Sequence, residues 1–184
     1  ELGLPPGLRV RFVFPHAPMI PVSLNNGYVM RAWYDLKGPS LERIEHDEAG
    51  VRRSQASIEA LVRRENERGV RTSRIVLAGF SQGGAMSVHV GVRYPETLAG
   101  IVALSSYVVL PDRLAGEMSE ANLRTPILHC HGTLDPMVPE RLGRAGCDRL
   151  TTLGYSVEYH RWPMQHQVCL EEIALIGRWI AARL

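Results

Sequence analysis

The strongest constraint on this chain is the stretch of residues 75–86, where an apolar run rich in β-branched residues meets a Gly-x-Ser-x-Gly pentapeptide. The run predicts a buried β-strand, and the residues after the pentapeptide predict a helix. A sharp turn between them has to expose the hydroxyl of Ser81, and the glycines at 79 and 83 are expected to leave room for it. Ser81 is therefore the candidate nucleophile. Because such a pentapeptide also occurs by chance, the rest of the chain has to supply its chemical partners.

Length and composition favour one globular domain over residues 1–184. The chain is 45% hydrophobic and 22% charged, which is typical of globular proteins. Its net charge is only +2 and its arginines are scattered, so nothing indicates a nucleic-acid partner. The longest apolar run, residues 100–111, is shorter than the roughly 20 residues that cross a bilayer, and we expect no membrane span.

The cysteines and the first residue bear on the cellular context. Three widely spaced cysteines make no disulfide framework, which favours a reducing, cytoplasmic compartment. We expect no signal peptide in this sequence, because no basic segment followed by an apolar run opens it. Because the first residue is Glu1 rather than methionine, we expect the natural protein to begin earlier.

Apolar periodicity predicts strands and helices that alternate along the chain. Residues 15–39 predict a long connection with a turn at its Asn-Asn-Gly motif. The alternation is typical of a three-layer α/β/α sandwich with a mostly parallel sheet, whose functional residues lie at the carboxyl ends of the strands. The expected strands are residues 9–14, 75–78, 100–104, 126–130 and 156–161, and the expected helices are residues 40–69, 83–94, 140–153 and 166–184.

Two loops after predicted strands carry the residues that a serine nucleophile needs. The nucleophile requires a base within hydrogen-bond reach and a carboxylate that orients the base. In a layered hydrolase of this kind the order along the chain is serine, acid, histidine. Asp135 follows the strand at 126–130 in a proline-flanked turn, and His166 follows the strand at 156–161. The sequence therefore predicts a triad of Ser81, His166 and Asp135.

Each of these residues also has a plainer role to be weighed. An aspartate before a proline is often only a turn residue, and a histidine at a helix start is often only a cap. Asp112 and Asp148 stay open as alternative acids, and we expect His131 to form the turn beside Asp135. The His-Cys-His run at 129–131 does not predict a metal site, because successive strand side chains point to opposite faces. The remaining histidines precede the nucleophile or lie inside predicted strands and helices: His16, His46, His89, His129 and His160.

Four spaced motifs carry a family resemblance: Gly79-Phe80-Ser81-Gln82-Gly83-Gly84, His131-Gly132 with Asp135 and Val138-Pro139, Pro163-Met164 with His166, and Pro15-His16-Ala17-Pro18 with Trp33-Tyr34-Asp35. Together they resemble the phospholipase/carboxylesterase family of α/β-hydrolases, which includes acyl-protein thioesterases, over essentially the whole chain. The resemblance implies the α/β-hydrolase fold and a cofactor-free serine hydrolase of small acyl esters or thioesters, with Ser81, Asp135 and His166 as its triad. It also implies an acyl-binding cleft bordered by Trp33, Ser106, Met137 and Met164.

The chain departs from the family pattern at two points. Members open with a strand and a His-Gly-x-Gly loop that supplies one oxyanion-hole donor, whereas the one His-Gly here is His131-Gly132. We therefore expect a chain that lacks this first strand and loop, exposes an apolar strip, and keeps the backbone N–H of Gln82 as the other donor. Loss of one donor typically lowers turnover about 100- to 1,000-fold. In addition, Gln165 stands where members often have glycine, which would strain the loop before His166 if that position needs a positive φ.

More than one function stays open from the sequence. The order of serine, aspartate and histidine favours an active carboxylesterase, acyl-protein thioesterase or lysophospholipase. The absent oxyanion loop favours a catalytically idle α/β-hydrolase-like module that binds a partner through its cleft. A metal-dependent amidohydrolase is a more distant alternative. The sequence does not decide the acyl-chain length, the leaving group, or whether the chain forms a homodimer.

Overall fold

The amino-terminal part of the chain forms a small two-stranded hairpin that is separate from the main sheet. The computed structural model describes residues 2–184, apart from the side chain of Glu42. Strand β1 (Met19–Val22) pairs antiparallel with β2 (Tyr28–Arg31). Their turn contains Asn26 at φ 55° and Gly27 at φ 75°, as the Asn-Asn-Gly motif predicts. The connection predicted over residues 15–39 is therefore largely a folded hairpin.

The remaining elements alternate between strand and helix. They are β3 (Leu36–Lys37), β4 (Glu45–His46), α1 (Glu48–Glu67), β5 (Val76–Phe80), α2 (Gln82–Gly91), β6 (Gly100–Leu104), α3 (Leu114–Glu117), β7 (Ile127–Gly132), α4 (Glu140–Thr152), β8 (Val157–Trp162) and α5 (Leu170–Ala181).

The main sheet has four parallel strands in the order β5-β6-β7-β8. In its register Phe80 lies opposite Leu104, and Leu104 lies opposite Cys130, so the three strands end at the same edge. Strands β6 and β7 are almost continuously apolar and buried, because both faces of a parallel sheet are covered. The edge where the strands end is therefore where side chains from several loops can meet.

Helices cover both faces of this sheet. Helices α2 and α4 pack on the face that carries Ile101, Ala103 and Ile127. Helix α5 packs on the opposite face, where Trp179 lies among the side chains of β6 and β7, and α1 packs against α2. The predicted three-layer α/β/α sandwich with a parallel sheet is thus confirmed.

None of the helices within residues 2–184 combines the length and the apolar character that a membrane crossing requires.

The predicted strand at residues 9–14 is wrong. Within residues 2–184 this segment pairs with no strand, and Phe12 and Phe14 are 50% and 85% exposed. A cavity of about 680 Å³ separates it from β5. The segment has the composition of a strand but no neighbour close enough to bond its backbone, and a strand exists only through such bonds.

A buried carboxyl lies on the face of α5 that meets the sheet. Glu172 is fully buried, and neither of its carboxylate oxygens has a hydrogen-bond partner of normal geometry among the described residues. Burial raises the pKa of Glu172 to about 7, against a smaller opposing effect of the Cys169 backbone. Desolvation disfavours the charged form of an acid, so the folded protein keeps this group protonated up to about neutral pH.

This raised pKa predicts how stability changes with pH. The unfolded chain ionises Glu172 near its ordinary pKa of 4.5, whereas the folded chain does so only near about 7. Stability from this group is therefore complete below pH about 4.5 and is lost as the pH rises through about 7. We expect Glu172→Gln to remove that loss. The free energy of unfolding of the variant, relative to wild type, should therefore be higher at pH 8 than at pH 4 by up to about 3 kcal/mol. Urea unfolding at several pH values measures the difference.

The matched control is Glu171→Gln, which removes an exposed carboxyl from the same helical turn. Its pH dependence should follow wild type. A slope for Glu172→Gln that equals the slope of wild type would show that the buried carboxyl does not titrate as described.

Candidate active site

Ser81 occupies a strained turn between β5 and α2. Its backbone has φ 55° and ψ −122°, a conformation that a non-glycine residue rarely adopts. Two contacts hold this turn: the Ser81 N–H donates to the Leu104 carbonyl at 2.8 Å, and the Ser106 hydroxyl donates to the Ser81 carbonyl at 2.8 Å. Strand β6 and the loop after it therefore keep the predicted nucleophile at the edge of the sheet where the strands end.

The glycines around Ser81 differ in how much space an added side chain would have. A Cβ atom on Gly79 would lie 2.2 Å from the backbone of Gly83, and one on Gly84 would lie 2.8 Å from the Cβ of Ser106. A Cβ on Gly83 would meet nothing closer than the Trp33 indole nitrogen, at 3.9 Å. The expectation that both glycines of the pentapeptide leave room for the turn is thus correct for Gly79 and wrong for Gly83, since Gly84 makes the second close approach.

The two carboxylate oxygens of Asp135 have different hydrogen-bond partners. Its Oδ1 accepts backbone N–H bonds from Met137 at 2.9 Å and Val138 at 2.8 Å. Its Oδ2 receives the Nδ1–H of His166 at 2.7 Å. The two amides fix the carboxylate plane, and the histidine is thereby set in the tautomer that leaves Nε2 without a proton.

His166 lies beside the turn of Ser81. Its ring packs against the ring of Phe80, the residue before Ser81, with the centroids 4.6 Å apart. The described chain shows no hydrogen bond between the Ser81 hydroxyl and His166. Gln165 is not among the residues with positive φ, so the loop before His166 accepts glutamine without the strain considered above.

Two further histidines support the loop of Asp135 from inside the sheet. The His131 Nε2–H donates to the Val138 carbonyl at 2.9 Å, and His129 Nε2 lies 3.2 Å from His131 Nδ1. Burial, and then the neighbouring His131, lowers the pKa of His129 to about 3, so His129 is neutral. The expectation that His131 forms the turn beside Asp135 is wrong: His131 lies in strand β7 and contacts that turn through its bond to the Val138 carbonyl.

The side chain of Gln82 makes a contact that the sequence did not reveal. Its Oε1 accepts the backbone N–H of Trp33 at 2.7 Å, and its Nε2 donates to the Tyr34 carbonyl at 2.9 Å. The loop of residues 32–35 is thereby fixed to the first turn of α2, where the Gln82 backbone N–H lies. No local signal could predict this, because the partners are nearly fifty residues apart in the chain.

The four residues expected at the acyl cleft lie in different surroundings. Ser106 is fully buried and its hydroxyl is bonded to the Ser81 carbonyl. Met164 is buried, whereas Met137 is 64% exposed beside Asp135. Of the four, Trp33 alone lines the 680 Å³ cavity.

The alternative acids lie away from these residues. Asp112 and Asp148 are at the surface, where they form ion pairs with Arg149 and Arg144 at 3.6 Å and 3.4 Å. Asp135 is therefore the acid that the fold brings to His166.

Comparison with known proteins extends over nearly the whole chain. A model of the phospholipase/carboxylesterase family matches residues 6–184. The chain is 42% identical to acyl-protein thioesterase 1 of Neurospora crassa, over 96% of this chain and 75% of that protein. It is 37% identical to acyl-protein thioesterase 1 of Gibberella zeae, over 96% of this chain and 78% of that protein.

Solved structures show the same similarity in three dimensions. The structure of Arabidopsis thaliana SOBER1 is 34% identical, with a TM-score of 0.88, and the match covers 93% of this chain and 82% of that one. The structure of Zea mays acyl-protein thioesterase 2 is 27% identical, with a TM-score of 0.79, over 92% of this chain and 79% of that one.

Gly79 and Gly83 differ in the space around them, so we expect different effects when each is replaced by alanine. We expect Gly79→Ala to push the turn of Ser81 out of place, because the new Cβ meets backbone atoms that cannot move aside. Overpacking of this kind costs about 1–3 kcal/mol, and misplacing a reacting group by about 1 Å lowers kcat/KM about 100-fold. Thermal unfolding and the kinetics of ester hydrolysis measure the two effects.

Gly83→Ala is the matched control. It adds the same methyl group in open space within α2, where alanine favours the helix by up to about 1 kcal/mol. This variant should keep its activity. Equal losses in the two variants would contradict the steric account.

Proposed function

The chain belongs to the phospholipase/carboxylesterase family and is a carboxylic ester hydrolase, and we propose that Ser81, His166 and Asp135 are its catalytic triad. The observation that carries the proposal is the 2.7 Å bond between Asp135 and His166, beside a strained turn that exposes a serine. The carboxylate orients the imidazole, and the imidazole has its second nitrogen free to take a proton.

The first half-reaction forms an acyl-enzyme. The Ser81 hydroxyl attacks the carbonyl carbon while His166 Nε2 takes its proton. The carbonyl oxygen becomes an oxyanion, and the backbone N–H of Gln82 donates to it from the start of α2. When the tetrahedral intermediate collapses, the imidazolium returns the proton to the departing alcohol or thiol.

The second half-reaction releases the acid. A water molecule gives its proton to His166 as its oxygen attacks the acyl carbon, and the same N–H stabilises the new oxyanion. Collapse breaks the bond to the Ser81 oxygen, which regains the proton from His166. The charge of Asp135 stabilises the imidazolium in both half-reactions, and its two backbone partners keep it in place.

Family membership also guides the proposed substrates and context. The Neurospora crassa and Zea mays relatives are named acyl-protein thioesterases, which supports carboxylic esters and thioesters of acyl groups as substrates here. We assign Trp33, Ser106, Met137 and Met164 to the acyl site as part of this proposal. The same proposal includes one domain, a cytoplasmic location and no nucleic-acid partner, and it leaves a homodimer open.

Replacing the nucleophile is the direct test. We expect Ser81→Ala to lower kcat for a short p-nitrophenyl ester by about a millionfold without changing the circular dichroism spectrum. The matched control is Ser57→Ala, on the exposed face of α1, which should hydrolyse the ester at the wild-type rate. Full activity in Ser81→Ala would refute the assignment.

A fluorophosphonate probe separates an enzyme from an idle binding module. An activated serine is phosphonylated by such a probe, and an unactivated one is not. We expect labelling at Ser81, identified by peptide mass spectrometry, and slower labelling in Asp135→Asn by about 10,000-fold because the imidazole then loses its orientation. An unlabelled wild-type chain would favour the binding module.

A further inference from the structure

The peptide bond between Ser81 and Gln82 carries two groups with different tasks. Its N–H is the proposed oxyanion donor, and its carbonyl accepts the Ser106 hydroxyl at 2.8 Å. Because a trans peptide bond is planar, its N–H and its C=O point in opposite directions and can turn only together. A restraint on the Ser81 carbonyl therefore also sets the direction in which the Gln82 N–H donates.

A second restraint on this peptide bond comes from the Gln82 side chain. Its Nε2 donates to the Tyr34 carbonyl at 2.9 Å, and its Oε1 accepts the Trp33 N–H at 2.7 Å. Gln82 is thus attached to residues 33–34, whereas the Ser81 carbonyl is attached to the loop after β6. The orientation of the peptide bond therefore depends on how these two segments are held relative to each other.

Two buried tyrosines join the same two segments. The hydroxyl of Tyr34 lies 2.8 Å from the hydroxyl of Tyr107, the residue after Ser106. Burial raises the pKa of Tyr107 to about 12, and burial also raises the pKa of Tyr34 well above its ordinary value. Both phenols are therefore protonated at neutral pH, and one donates to the other.

Together these contacts form a closed hydrogen-bonded cycle. It runs from the Ser81 carbonyl to the Ser106 hydroxyl, along the chain to Tyr107, and across to the Tyr34 hydroxyl. It returns from the Tyr34 carbonyl to the Gln82 side chain and so to the peptide bond where it began. In a closed cycle no member can turn without lengthening a bond elsewhere, and bonds in series also polarise one another. The bond between the tyrosines is the contact that closes the cycle.

Packing does not require the two tyrosine hydroxyls. Both aromatic rings lie in the apolar cluster that contains Val51, Met86 and Val109. Two phenylalanines would have nearly the same shape, and replacing both partners of a buried hydrogen bond by apolar groups of the same shape is nearly neutral for stability. The hydroxyls are therefore better explained by what they connect than by the stability they add.

We propose that Tyr34 and Tyr107 are positioning residues for the ester hydrolysis, because their shared hydrogen bond holds the peptide bond whose N–H meets the oxyanion. The inference rests on the proposed catalytic role of Ser81. The two tyrosines act through Gln82 and Ser106 rather than on the substrate. Because the oxyanion forms only as the reaction proceeds, the restraint acts on kcat and leaves KM unchanged.

Replacing the tyrosines by phenylalanine opens the cycle and keeps both aromatic rings. We expect Tyr34→Phe, Tyr107→Phe and the double variant each to lower kcat for a short p-nitrophenyl ester about tenfold at unchanged KM. A misplacement of 1 Å costs about 100-fold, and we expect a smaller displacement here. The matched control is Tyr155→Phe: this buried hydroxyl donates to the Val92 carbonyl at 3.3 Å, outside the cycle, and its loss should leave kcat unchanged.

Urea unfolding separates positioning from a purely structural role. Each single variant leaves the other phenol hydroxyl buried without its partner, so each should unfold at a lower urea concentration than wild type. The double variant leaves no such hydroxyl and should unfold close to wild type. Its kcat should nevertheless stay about tenfold low, because the bond that closes the cycle is still missing. A double variant that regains the wild-type kcat together with its stability would overturn the proposal.

A boronic acid inhibitor tests the oxyanion donor without turnover. The Ser81 oxygen bonds to boron as its proton passes to His166, and the tetrahedral adduct places an oxygen where the oxyanion forms. The inhibition constant should rise about tenfold in the double variant, in parallel with the loss of kcat. An unchanged inhibition constant would contradict the inference.

The two proposals fail in different ways. Full activity in Ser81→Ala would refute the triad, whatever the tyrosine variants do. An inactive Ser81→Ala, together with wild-type kcat in all three tyrosine variants, would refute the positioning role alone.

Discussion

The positive φ of Ser81 is the constraint on which the site depends. Strand β5 gives way to helix α2 within this one residue. Such a backbone conformation costs about 1–3 kcal/mol, and it persists only where the surrounding structure imposes it. The surroundings are specific: Gly79 and Gly84 allow backbones to approach within distances that no side chain permits, and the Leu104 carbonyl and the Ser106 hydroxyl bond the turn from β6. Ser81, the proposed nucleophile, is thus positioned by strand β6 and by Ser106 in the loop after it, together with the close approach that Gly79 allows.

Asp135 and His166, the proposed acid and base, depend on the next strands of the sheet in the same way. The carboxylate of Asp135 is fixed by two amides of its own loop, and that loop is bonded to the buried end of β7 through His131. Helix α4 closes over this arrangement at Gly143, where a Cβ would lie 2.4 Å from His131 Nδ1. Burial lowers the pKa of His129 to about 3, so the ring that contacts His131 is neutral at neutral pH. The carboxylate of Asp135 is therefore held in place by a loop that is bonded to the buried core.

The spacing of apolar residues predicted most of the fold, because it reflects which side chains of each strand and helix are buried. Strand β6 was predicted at its observed bounds, and β7 and β8 were predicted to within one or two residues, since both faces of the sheet are covered. Residues 9–14 have an equally apolar pattern and failed, because a pattern does not show whether a neighbouring strand is present to pair with. The prediction for Gly83 was wrong for a related reason. The motif fixes where the glycine stands in the sequence, whereas the space around it depends on residues that are distant in the chain. The Gln82 side chain and the Ser106 hydroxyl join segments 25 to 49 residues apart, which local sequence does not encode.

Strand β5 combines two demands that usually fall on different strands. It ends in the strained turn of Ser81, which needs rigid support, yet within residues 2–184 it pairs with β6 alone. In the described part of the chain, the turn is restrained by β6, by α2 and by the hydrogen bonds of the Gln82 side chain to residues 33 and 34. The apolar residues of β5 and the phenylalanines of residues 9–15 remain exposed on the other side, at a cost of about 25 cal/mol for each Å² of apolar surface left in water. The five residues of β5 therefore connect an edge that is unpaired within residues 2–184 to the strained turn of Ser81.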